Sequence, residues 1–299
     1  MEKRDEKPAV RRLPPWLKKT IPAGSGQAVN DCLSALRLDT VCRGARCPNS
    51  LDCKSRGRAA FLIMGPNCTR SCRFCAMESA EPAPLDAEEP ARLAEAVRRI
   101  GLRHAVVTSV TRDDLPDGGA AHFAAVVAAI RERTPDVTVE ILVPDFWGDE
   151  ASWEIAVDSV PDVFNHNIET VERLYDRVRP EADFDRSLAL LDFAKERQPT
   201  MATKSGMMLG LGEEYGEVLD AARALRDVGV DIITVGQYLQ PKSPRTLPVE
   251  RYVPPEEFER LAGELRSLGF KSVACSPFVR SSYNAEEDFL VAGGKGNKG

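Results

Sequence analysis

AFLIMGPNCTRSCRFC, residues 60–75, joins a short apolar run ending in glycine to a loop that carries Cys68, Cys72 and Cys75. A run this short, closed by a turn residue, reads as a strand, since a helix needs about ten or more residues. It is the first of a series. Downstream, amphipathic helical stretches alternate with further β-type runs: helix 88–100, strand 104–110, helix 120–133, strand 138–144, helix 150–158 and strand 162–169. Helix 186–197, strand 202–210, helix 218–228, strand 231–238 and helix 255–268 complete it. Strand then helix, six times over, is the pattern of parallel βαβ units with right-handed crossovers. An eight-unit barrel needs about 250 residues for its repeats alone. The expected fold is therefore α/β, a partial (β/α)6 TIM-type barrel over residues 60–275, preceded by an arm (1–59) and followed by a tail (276–299). A doubly wound open sheet is the alternative, but no G-x-G-x-x-G follows the first strand. In barrels of this type chemistry sits on loops at the carboxyl ends of strands, which is where the Cys68 loop lies.

The bulk numbers narrow the class. At 299 residues and 43% apolar content the chain can bury a sizeable core. A net charge of −6 argues against a general nucleic-acid binder. Arg43, Arg46, Lys54, Arg56 and Arg58 nevertheless make the arm locally basic, either as a solvated face or as a docking patch. The longest apolar run, residues 123–130, is far short of a membrane span. The first residues lack an apolar leader core, and Glu2, Asp5 and Glu6 are unlike a transit peptide, so a cytoplasmic protein is expected. In that reducing compartment clustered cysteines are metal ligands before they are disulfides.

Six of the eight cysteines fall in two triplets, Cys42–Cys47–Cys53 and Cys68–Cys72–Cys75. Each triplet is one ligand short of the four that a cubane iron-sulfur cluster or a structural zinc takes. The C-x3-C-x2-C loop, with Phe74 before its last cysteine, resembles that of the radical S-adenosylmethionine enzymes. There three thiolates hold three irons of a [4Fe-4S] cluster, and the open iron takes the amino and carboxylate groups of S-adenosylmethionine. An electron passed through the cluster then cleaves the sulfonium to a 5'-deoxyadenosyl radical. The upstream spacing, C-x4-C-x5-C, suits zinc as well as iron when taken alone.

With R-S-S-Y at residues 280–283, and with VVTSVTRDDLPDGGAAHF, FNHNIETVERLYDRVRP, KSGMMLGLGE and VGQYLQP, residues 39–283 resemble lipoyl synthase. The resemblance implies a second [4Fe-4S] cluster held by Cys42, Cys47, Cys53 and Ser281, or else Ser282, and dismantled during turnover as a source of sulfur. It implies a transferase that inserts sulfur at C6 and C8 of an octanoyl chain on a lysine of a carrier domain. The carriers would be the 2-oxoacid dehydrogenase acyltransferase and the glycine cleavage carrier protein, and the electron donor a flavodoxin or ferredoxin. No nucleic acid and no membrane enter this scheme. The basic arm is the expected meeting point with an acidic carrier.

By position, Thr108 and Ser109 end the second strand, where the superfamily places acceptors for the methionine amino group. Asn165, Asn167 and Glu169 alternate along the fourth strand and are expected to point inward toward the ribose. Lys204 is expected to meet a carboxylate of cofactor or substrate, and Gly210 and Gly212 to admit cofactor to the backbone. Arg112, Asp113 and Arg179 also fall on loops of that end. His166 should face the helices, His104 and His122 read as structural, and Cys32 and Cys275 as small buried hydrophobes, with Cys275 a rival to Ser281. Asn284 departs from the family, which has histidine after R-S-S-Y. Competing readings are another radical sulfur inserter, of the biotin synthase or methylthiotransferase kind, and an inert scaffold with zinc in both triplets.

Overall fold

Short apolar runs paired in register build a single main sheet in the computed structural model, which describes residues 13–19 and 26–295. The arm contributes α1 (Gln27–Ala35), β1 (Asp39–Thr40), α2 (Val41–Gly44) and α3 (Ser50–Ser55). Then come β2 (Ala60–Ile63), β3 (Asn67–Cys68), β4 (Glu78–Ser79), α4 (Glu89–Ile100), β5 (His104–Ser109), α5 (Ala120–Arg133), β6 (Thr138–Leu142) and α6 (Glu150–Asp158). The second half holds β7 (Val163–Asn165), α7 (Tyr175–Val178), α8 (Phe184–Arg197), β8 (Ala202–Leu209), α9 (Tyr215–Asp227), β9 (Ile232–Gln237), α10 (Pro255–Ser267), β10 (Ser272–Cys275) and α11 (Ala285–Val291). The reading of Glu2, Asp5 and Glu6 lies outside the described residues.

The main sheet runs β1-β2-β5-β6-β7-β8-β9-β10. Every neighbouring pair from β2 onward is parallel, and β1 joins antiparallel, Thr40 opposite Phe61. Its two edges do not pair with each other, so among the described residues the barrel stays open. The six expected strand–helix units are present. A seventh parallel strand, β10, follows them; the sequence pattern ended with helix 255–268, and four residues are too few to show a period. The fourth strand is shorter than the expected 162–169: β7 ends at Asn165, and Glu169 has a left-handed φ of 66°.

The helices bury the outer face of the sheet in two large apolar clusters, one centred on Phe61, Phe123 and Ile141 and the other on Ile233, Leu225 and Phe258. At the amino ends of the strands the inner face is charged. Glu140, fully buried, meets Lys204 at 3.1 Å, His104 at 3.2 Å and the Nδ2 of Asn165 at 2.9 Å. Burial alone would raise the Glu140 carboxyl, but the charges of Lys204 and His104 outweigh it and bring it to about 2. The C-terminal helix α11 covers this floor, with Phe289 against His104 and Glu286 on Arg103 at 2.8 Å.

Candidate functional site

All the strands from β2 to β9 end around one cavity of about 790 Å³, lined by Leu62, Thr108, Leu142, Asn167, Gly206 and Gly236 among others. The Cys68 loop closes one side of it. Its ends are held by the β3–β4 pair, Cys68 beside Ser79, and its middle by Arg70. That guanidinium, buried to 5% exposure, reaches Asp113 at 2.8 Å and Asp145 at 2.7 Å, while Trp147 stacks on it at 4.5 Å. Ser71 adds a hydroxyl bond to Glu181, 2.7 Å long. The loop is thereby tied to the loops after β5 and β6 and to the start of α8. Backbone N–H groups of Arg70 and Thr111 donate to the Cys68 Sγ at 3.5 and 3.4 Å, and that of Met77 donates to Cys75 at 3.4 Å. The Met77 bond favours the thiolate of Cys75.

Two cysteines of the second triplet reach the same cavity from the arm. Asn49, fully buried, donates to the Phe278 carbonyl at 2.7 Å, the Tyr283 hydroxyl donates to Asp52 at 3.1 Å, and Arg58 reaches Asn284 at 3.0 Å and Glu287 at 2.6 Å. These bonds draw the R-S-S-Y segment against α2 and α3. Cys42, Cys47, Ser281 and Ser282 all line the cavity, and Cys42, Cys53 and Ser282 line a smaller recess beside it. The Ser281 hydroxyl donates to Asn167 Oδ1 at 2.7 Å, and Asn167 in turn donates to Glu169 at 3.1 Å. Gly206 makes room for that contact, since a Cβ there would lie 2.8 Å from the Ser281 oxygen and 2.9 Å from Asn167 Oδ1. Asn284 adopts a left-handed φ of 57° as it caps α11, a conformation asparagine tolerates well.

Burial pushes the thiol of Cys72 up to about 12, against the opposing charge of Arg179. Burial, together with the Cys42 and Cys47 thiolates, takes Cys53 to about 12 as well. Cys75 rises to about 11, burial outweighing the Met77 N–H. Half-buried Cys53, Cys72 and Cys75, whose neighbouring thiolates raise them further, fit a cationic centre that would hold them deprotonated. Among the described residues no group of three or more His, Cys, Asp or Glu converges as a single ion would require. A cubane, in which each iron takes its own ligand, needs its thiolates farther apart than a single ion does.

Of the residues expected at the site, Phe74, Thr108, Ser109, Asn167 and Glu169 line the cavity. Asn165 and Lys204 do not. They face inward, but one layer lower, where the carboxylate that Lys204 meets is Glu140. Gly210 answers a different need: a Cβ there would lie 2.3 Å from Gln237 and 2.5 Å from the Arg251 carbonyl, so the space is taken by protein. Arg112 is buried on Asp114 at 2.8 Å, and Asp113 is engaged by Arg70. Cys275 turns its thiol to the Phe258 carbonyl on α10, at 3.3 Å, away from the Ser281 side. The basic arm is also largely spent on structure: Lys54 donates to Asn30 at 2.7 Å, Arg56 meets Asp52 at 3.2 Å and Arg58 meets Glu287. His166 reaches the cavity, against expectation, because the strand ends before it. Its Nδ1 donates to the Val143 carbonyl at 2.8 Å, which leaves Nε2 as an acceptor. Burial and the Arg179 charge bring this imidazole down to about 4, so it is neutral at neutral pH. Arg179, expected on a loop at this end of the barrel, lines the cavity, and so does Arg280, the first residue of R-S-S-Y, whose reading turns on its serines alone.

Residues 62–225 match the family model of the Radical SAM superfamily, and residues 1–47 match that of the N-terminal domain of lipoyl synthase. The lipoyl synthase of Caldanaerobacter subterraneus subsp. tengcongensis is 53% identical over 95% of this chain and 99% of its own length. That of Rubrobacter xylanophilus is 51% identical over 92% and 85%, and that of Thermus thermophilus 50% identical over 95% and 89%. Among solved structures, HydG, a maturase of the [FeFe]-hydrogenase, superposes with a TM-score of 0.58 at 15% identity, covering 90% of this chain and 67% of that one. Coproporphyrinogen III oxidase (HemN) from Escherichia coli, a radical SAM enzyme, superposes with a TM-score of 0.51 at 14% identity, over 76% and 57%. These two show the shared fold. Family models at both ends of the site and half-identical relatives along nearly the whole length agree: the chain belongs to the lipoyl synthase family of radical S-adenosylmethionine enzymes.

Proposed function

We propose that the chain inserts two sulfur atoms, at C6 and C8, into an octanoyl group carried on a lysine of a lipoyl carrier domain. The observation that carries this reading is that the Cys68, Cys72 and Cys75 loop, two arm cysteines, Cys42 and Cys47, and the R-S-S-Y serines line one cavity, with Cys53 in the recess beside it. Cys68, Cys72 and Cys75 would hold a [4Fe-4S] cluster whose open iron takes S-adenosylmethionine; together these supply a radical able to remove hydrogen from unactivated methylenes, chemistry beyond acid–base side chains. Cys42, Cys47, Cys53 and Ser281 would hold a second [4Fe-4S] cluster, the source of the sulfur. The polar wall formed by Thr108, Ser109, His166, Asn167 and Glu169 suits the ribose and methionyl groups of the cofactor, and Phe74 borders it. Apolar Leu62, Met77, Met208 and Leu239 suit the octanoyl chain and keep water from it.

The serine is the informative ligand. An alkoxide is a harder and weaker partner for iron than a thiolate, and a protonated Ser281 has a resting place already built, the Asn167 acceptor. A ligand that leaves easily suits a cluster that must give up its sulfur. Ser282 is the second reading, favoured by its place in the recess beside Cys42 and Cys53. The carriers named by the resemblance and a flavodoxin- or ferredoxin-type reductant complete the proposal, as does the arm–barrel–tail division at residues 59 and 275. Anaerobic reconstitution with iron and sulfide tests it: about eight irons per chain are expected, with a dithiolated product from an octanoyl-lysyl peptide and S-adenosylmethionine. Iron at half that level, or a product carrying no sulfur, would contradict it.

A further inference from the structure

Cations outnumber carboxylates in the lining of the cavity, and three of them are exposed. Its lining holds Arg46, Arg70, Arg179, Lys242, Arg245 and Arg280 against a single carboxylate, Glu169, although the whole chain has a net charge of −6. Arg70, Arg179 and Arg280 are held deep in the wall. Arg46, Lys242 and Arg245 are exposed, and among the described residues none of the three forms an ion pair. They come from two distant segments that lock together: Arg46 donates to the Lys242 carbonyl at 3.3 Å, and Arg245 to the Met77 carbonyl at 2.6 Å. Met77 in turn lies under α2, where a Cβ on Gly44 would stand 2.7 Å from its sulfur. The arm and the segment after β9 thus form one continuous basic rim, with the apolar wall of the cavity beginning just inside it.

We infer that this rim, rather than the basic arm as a whole, is the docking surface for the carrier domain, and that it selects a carrier presenting carboxylates on either side of its octanoyl-lysine. The inference rests on the octanoyl-carrier reading of the site. An acidic partner is repelled by the net charge of this chain and attracted only at the rim, so the field both steers encounter and points the modified lysine at the cavity. Exposed ion pairs across such a rim weaken with salt.

The test uses the full chain with both clusters reconstituted, and compares an octanoylated carrier domain with a short octanoyl-lysyl peptide lacking acidic neighbours. Arg245 is left in place because its charge acts on Cys75. In R46Q/K242Q, with iron content and absorbance near 400 nm as the check on cluster retention, the carrier Kd is expected to rise at least ten-fold at low salt. Its salt dependence should flatten, and the peptide KM should change less than two-fold. If R46Q lets iron go, K242E alone carries the same expectation. Carrier affinity and salt slope equal to those of the wild type would overturn the inference, as would an equal loss for carrier and peptide. A wild-type protein that thiolates neither substrate would overturn the underlying reaction as well.

Discussion

Asn165 and Asn167 lie two residues apart and on the same inward face, yet they belong to different chemistry. Asn167 meets Ser281 in the cavity, while Asn165 serves Glu140 on the floor. Alternation along a strand shows which face a side chain takes, but not its depth, because depth depends on where neighbouring strands begin. The same limit explains Lys204: inward was legible, the buried partner Glu140 was not, since it comes from another strand 64 residues away. His166 shows a second limit, as the period of two stops holding when the strand ends. The two cysteine triplets were legible because ligand spacing is local, whereas Ser281, more than 200 residues away, came only from the resemblance. At this scale Ser281 and Ser282 can be told apart. Ser281→Ala is expected to speed chelator removal of the second cluster at least ten-fold, with S-adenosylmethionine cleavage at the Cys68 cluster continuing, whereas Ser282→Ala should leave the chelation rate within two-fold. The reverse order would move the ligand assignment to Ser282.

Among the elements, α11 has a role that its seven residues gave no means of reading. It closes the charged floor of the barrel, and Asp288 points into that floor. Burial, more than the nearby Glu140, lifts the Asp288 carboxyl to about 6 in spite of Lys204. A carboxyl raised on folding is protonated more readily in the folded state, so stability is greatest below its unfolded value near 3.8 and falls as pH rises to about 6. Above that the cost of the ionised group reaches up to about 3 kcal/mol. Asp288→Asn should therefore raise Tm by a few degrees at pH 7.5, and most of that gain should be gone by pH 4. Equal gains at both values would mean that the side chain acts through packing and not through charge. The long helices were legible to within a turn because their apolar stripes repeat several times, whereas β7 and β10, of three and four residues, offer too few positions for a pattern to form.

Across the whole molecule, the alternation of strands and helices fixed the barrel, but the closure of arm against tail could not be read from either alone. It depends on contacts such as Asn49 to Phe278 and Asp52 to Tyr283, between residues more than 220 positions apart. That closure brings Cys42, Cys47 and Ser281 to the cavity that the Cys68 loop also lines, the arrangement on which the proposed pairing of a radical source with a sulfur source rests. The most direct measurement of this account is a single turnover with protein reconstituted with heavy-isotope sulfide, in buffer containing only ordinary sulfur, followed by mass spectrometry of the octanoyl-lysyl peptide. Both inserted sulfur atoms are predicted to carry the heavy isotope, and Cys42→Ala to yield no thiolated product. Product whose sulfur is light, or thiolation that survives the loss of Cys42, would contradict the assignment of the arm site as the sulfur donor.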